Sequence, residues 1–172
     1  APTLTIKYSG VPLWGAGGAG STATVTLMAS GDIQVAYGNV SGSSYISGVS
    51  AGGAGNSAAE MDLSAAGGQL AYGGEKTLFE VYGKGKAFDL AGKTLTYTTS
   101  GDPGPDPGPV VPSETSVPLA DDATASVELG FSFTFFGKSY TKVFVNSDGN
   151  LTFGAGDGAT ADRSVSRFLT GA

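Results

Sequence analysis

The sequence predicts an all-β protein: antiparallel β-sandwich-like halves joined by an extended Pro/Gly-rich linker. Three observations carry this. Apolar residues alternate at period two through short runs of Val, Ile, Leu, Thr, Tyr and Phe, the mark of half-buried strands. Polar, Gly-bearing turns punctuate those runs, and 29 of the 172 residues are Gly. Five of the eight prolines fall within residues 101–112, where no packed element can run.

The first half, residues 1–100, reads as strands in order. Residues 4–8 alternate Leu-Thr-Ile-Lys-Tyr, and a Gly/Ala loop follows at 15–20. Residues 23–28 run into the turn Ala29-Ser30-Gly31-Asp32, and residues 33–37 return. This is the clearest β-hairpin in the chain. Residues 45–50 form a shorter strand, 51–58 a flexible loop, and 58–66 hold one short helical turn. Residues 77–82 and 94–98 are further strands, and Phe88-Asp89-Leu90 between them plugs a core edge.

Residues 101–116 form the linker, extended at ~3.1 Å per residue where Pro-rich. The second half, 117–172, has the texture of the first. Residues 125–129 lead to Phe131, Phe133, Phe135 and Phe136, and residues 140–145 reach the turn Asn146-Ser147-Asp148-Gly149. Residues 150–154 leave it. The spacing puts Phe131, Phe133 and Phe135 on one face, opposite Ser and Thr. A segment this short buries too little surface to cover that face alone, so it needs partner strands.

Composition narrows the chemistry. The chain has no His and no Cys, which excludes a Ser-His-Asp triad, a Cys nucleophile, a Cys/His zinc site and disulfides. Charged residues are 14%, and the net charge of −6 repels phosphate backbones and anionic lipid. Nucleic acid is therefore not an expected partner, and no apolar run is long enough to span a bilayer. The chain opens on Ala1-Pro2 and closes in mid-pattern, which reads as a processed product or a segment of a longer protein.

Candidate sites are few. The loop at Asn146, Asp148 and Asn150 offers one carboxylate, short of what calcium takes, and reads as a type I′ turn at Asp148-Gly149. Asp121, Asp122, Asp157 and Asp162 would add carboxylates to it if the fold brings them near. Glu60, Asp62, Glu75 and Glu80 read as surface charge, with nothing to set two across a cleft for glycoside hydrolysis. Trp14 reads as a core or loop anchor, and Asn39 and Asn150 stand in glycosylation-acceptor triplets. No cofactor, no metal and no enzymatic activity are expected.

Two stretches carry a family resemblance. Residues 133–140 (Phe-Thr-Phe-Phe-Gly-Lys-Ser-Tyr) and 143–154, with the Asn-Ser-Asp-Gly cluster, resemble the opening of nidogen-like extracellular domains. Val25-Thr26-Leu27, Gly31-Asp32-Ile33, Tyr37-Gly38 and Gly48-Val49-Ser50 resemble such a domain's closing strands. The order is inverted here: the opening strands follow the linker and the closing strands precede it. The resemblance implies adhesion or matrix contact at a bacterial surface, not catalysis.

Three arrangements follow from that inversion. The head of one copy completes the tail of the next, giving a head-to-tail filament. Or the head folds back on its own tail as a circular permutant. Or the chain is one repeat of a tandem array. The first is the leading expectation, with Phe131, Phe133, Phe135, Phe136, Tyr140, Phe144, Phe153 and Phe168 as the assembly interface. Expected partners are copies of the chain itself, with a surface protein, matrix protein or glycan as further options. The alternative is a monomeric extracellular module binding glycan, calcium or a protein.

Overall fold

The computed structural model describes residues 1–12, 19–42, 44–53, 58, 60–73, 76–83, 85–99, 114–158 and 164–171. Trp14, most of the 15–20 loop, Glu75, Asp162 and residues 100–113 of the linker region lie outside them.

The fold is all-β and sandwich-like. A five-stranded sheet has the order β1-β2-β3-β7-β5, from β1 (Thr3–Val11), β2 (Ser21–Met28), β3 (Ile33–Tyr37), β5 (Gln69–Ala71) and β7 (Thr94–Thr98). A two-stranded sheet pairs β4 (Tyr45–Val49) with β6 (Leu78–Tyr82). A three-stranded sheet has the order β10-β9-β8, from β8 (Thr124–Phe135), β9 (Lys138–Asn146) and β10 (Leu151–Thr152). Helix α1 (Val165–Thr170) follows, N-capped by Ser164, whose Oγ accepts from the Arg167 N–H.

Alternation places the side chains. Along β8 every odd residue from Ala125 to Phe135 is at least half-buried and every even one is exposed. The β2–β3 hairpin forms as its sequence predicts, with Leu27 paired to Ile33 and Gly31 at φ 94° in the turn. The expected helical turn is a short 3₁₀ segment, Ser64–Ala66. Leu90 is fully buried, and Phe88 packs among Tyr37, Tyr45 and Tyr82.

Two turns depart from expectation. Phe135 pairs with Lys138, and the two residues between them, Phe136 (φ 46°) and Gly137 (φ 77°), both have positive φ. That is a type I′ hairpin with a phenylalanine at a position that favours Asn or Gly. The type I′ turn expected at Asp148-Gly149 is different. Only Gly149 has positive φ there (85°), Gly149 N–H donates to the Asn146 carbonyl, and Asn146 N–H donates to the Asn150 carbonyl. A type I turn closed by a glycine bulge explains all three.

One buried cluster draws on both sides of the linker. It joins Leu27, Ile33, Leu63, Leu70, Tyr82, Leu95 and Tyr97 to Leu129, Phe133 and Val143. The partner for the Phe face is thus the chain's own first half. Among the described residues, however, every strand ladder stays on its own side of the linker.

Candidate functional site

The surface between the two halves holds most of the residues that the sequence selects. Phe133 is fully buried and stacks on Phe135 and Phe153, at 6.2 and 5.3 Å between ring centroids. Phe135 and Phe136 meet edge to face at 4.7 Å, and Tyr140 tilts over Phe153 at 5.1 Å. Phe131 is half-buried against the same cluster.

Two residues stand apart. Phe144 pairs with exposed Ser126 and so lies on the outer face of the three-stranded sheet. Phe168, on α1, packs against Phe79 of β6 at 5.9 Å, a separate contact between the halves.

First-half partners complete the joint. Tyr72 lies 5.8 Å from Phe135 and 5.1 Å from Phe136, and its hydroxyl donates to the Gly31 carbonyl. A Cβ added to Gly31 would stand 3.1 Å from the Thr134 carbonyl oxygen, so the hairpin turn and β8 come close there. Tyr8 donates its hydroxyl to the Asn150 carbonyl at 2.7 Å, and Gly53 N–H donates to the Thr170 carbonyl at 2.6 Å. Sequence reading misses Tyr72, Tyr8 and Phe79. Nothing in the Gly-flanked segment around Tyr72 signals that it faces a Phe cluster some 60 residues on.

The acidic residues are not scattered. Carboxylate oxygens of Asp62, Glu80 and Asp89 lie within 4.8 Å of one another. Glu80 is 1% exposed, and Lys86 Nζ stands 2.8 Å from its Oε1 and 3.5 Å from Glu60 Oε1. Leu63 N–H donates to Glu80 Oε2, and the Tyr82 hydroxyl reaches Glu80 Oε2 at 2.5 Å and Asp89 Oδ1 at 3.0 Å. The Glu80 contact raises the Lys86 pKa, and the Ser64 hydroxyl and Ala65 N–H lower that of Asp62. These are the residues to which a cation would bind, and the Lys86 ammonium already pairs with the buried one, Glu80. The arrangement centres on one buried carboxylate, Glu80, with Glu60, Asp62, Lys86 and Asp89 exposed around it, and it ties the 60–63 loop to β6.

The Asn146 loop uses its own oxygens. Asn146 is fully buried; its amide donates to Thr152 Oγ1 at 3.2 Å and its Oδ1 accepts from Asp157 N–H at 3.0 Å. Arg167 pairs with Asp157 at 2.5 Å, which ties α1 to this loop.

Residues 87–168 match the family model described as NIDO related. This segment is similar to nidogen-related domains. The nidogen-related segment runs from just before Phe88 through β7, across the Pro/Gly-rich stretch, and on through β8, β9 and β10 into α1. It therefore contains the whole Phe face and one strand of the first half. Residues 1–86, with Tyr72, Gly31 and Tyr8, lie outside it. No curated protein and no solved structure matches the chain. The nidogen-related match supports an extracellular module, and no helix among the described residues is long and apolar enough to cross a membrane.

Proposed function

We propose that the chain is a non-catalytic structural unit of an extracellular bacterial filament or matrix, assembled head to tail. The observation that supports this is the joint between the halves. It is a large aromatic core made by two segments far apart in sequence, and no ladder among the described residues crosses it. Side-chain packing of this kind forms equally well within one copy or between copies, since the contacts are the same and only the path of the linker differs. Strand pairing between the halves, which the sequence reading also expects, is not used in this closed form. Core complementation is.

The closed core also favours a second reading, a monomeric extracellular adhesion or binding module for a glycan, calcium or a partner protein. Mass against dilution separates the two. A filament subunit gives oligomers or fibres that grow with concentration. A compact monomer at every concentration supports the binding module and defeats the filament.

A further inference from the structure

Two of the three longest strands among the described residues, β1 and β8, are edges. β1 pairs only with β2, and β8 pairs only with β9. Among the described residues, no backbone bond reaches the outer side of either strand within its paired length. Each therefore presents a row of N–H and C=O groups with no ladder partner.

The two edges match each other. β1 pairs regularly from Thr3 to Tyr8 and is then irregular before Val11. β8 pairs regularly from Thr124 to Glu128 and is then irregular before Phe133. In the first stretch Leu4, Ile6 and Tyr8 face inward, and Thr5 and Lys7 are exposed. In the second Ala125 and Val127 face inward, and Thr124, Ser126 and Glu128 are exposed. Each stretch carries one charge, and the signs are opposite. A parallel register of Lys7 with Glu128 sets Thr5 beside Ser126 and Ile6 beside Val127. Both apolar faces then stay on one side, and both irregularities fall outside the paired length. Self-pairing centred on either charge sets like charges opposite, which is unfavourable.

We infer that the β1 edge of one copy adds to the β8 edge of the next, so that folded units polymerise through a second, heterologous contact. The partner is a second copy of this chain. A single β1–β8 contact leaves one edge of each unit in the pair unused, so the contact propagates as a row unless the geometry closes it into a ring or a two-fold pair. This rests on the polymer reading above but needs no opening of the shared core. It gives closed units a way to join.

Charge reversal tests it in the full chain. Lys7→Glu and Glu128→Lys each weaken association about three- to tenfold, and the double reversal restores it to within about twofold. Lys142, which pairs with Glu128 at 3.2 Å, is kept in every variant, and matching circular dichroism confirms that each is folded. The register is read with thiols, because the chain has no Cys. Thr5→Cys and Ser126→Cys chains, mixed, are joined by a short bis-maleimide, and neither is joined to itself. If the wild type associates and the reversals do not change it, the edge contact is wrong while the filament reading survives. A wild type that never associates overturns both.

Discussion

The ring of Phe136 stands edge-on to the ring of Tyr72, 5.1 Å between centroids. One residue is at the tip of a tight turn in the second half, and the other follows β5 in the first. Phe136 takes this position only by adopting φ 46°, a left-handed backbone that a bulky residue rarely adopts. The turn is strained so that the ring can cross the joint.

Two substitutions separate strain from contact. Phe136→Ala removes the ring and keeps a Cβ in the left-handed region. Phe136→Gly removes both. The glycine variant is expected to be more stable than the alanine variant by about 1 kcal/mol, measured by urea denaturation. Equal midpoints would show that the turn is relaxed in solution.

Phe133 is the centre of the stack and is fully buried. Phe133→Ala should cost about 3–5 kcal/mol through the cavity it leaves. Phe133→Asp buries a carboxylate among aromatic rings and should abolish both folding of the joint and assembly. Fibres that still form from the Asp variant would place the joint elsewhere.

Alkaline pH should unfold the protein cooperatively. Burial raises the pKa of Tyr8, Tyr37, Tyr72, Tyr82 and Tyr97 above the ordinary phenol value, and for Tyr82 the Glu80 and Asp89 carboxylates add to it. The Glu80 contact raises Lys86 in the same direction. For each group the folded state holds its proton more tightly than the unfolded state. The stability they confer is complete below the unfolded pKa, about 10 for tyrosine, and is lost as pH climbs through the folded values. Tyrosinate absorbance should therefore rise together with loss of circular dichroism. Five tyrosines titrating smoothly near pH 10 in a folded chain would contradict the burial.

Much of the fold is legible in the sequence because it depends on local alternation. The β2–β3 hairpin, β7, and the odd-numbered face of β8 each announce themselves within a dozen residues. β5 does not. It is three residues long between glycines, only Leu70 in it is buried, and it pairs in parallel with β7. The grouping of Asp62, Glu80 and Asp89 is also invisible, since it depends on how the 60–63 loop lies along β6. Most of the interface residues converge because they share one strand face. Phe144 does not, because even-numbered positions on β9 near Val143 and Val145 point the other way. The same alternation carries the clue, and aromatic content alone obscures it.

That no ladder among the described residues crosses the joint has a mechanical consequence. Tension on a row of such units would load side-chain packing between the halves and hydrogen-bonded ladders within them. Packed rings give way singly, whereas a ladder pulled along its strands resists as a set. The halves should separate first, each sheet intact. On release, the same rings find the same seats. A fibre built this way would lengthen and recoil without unravelling.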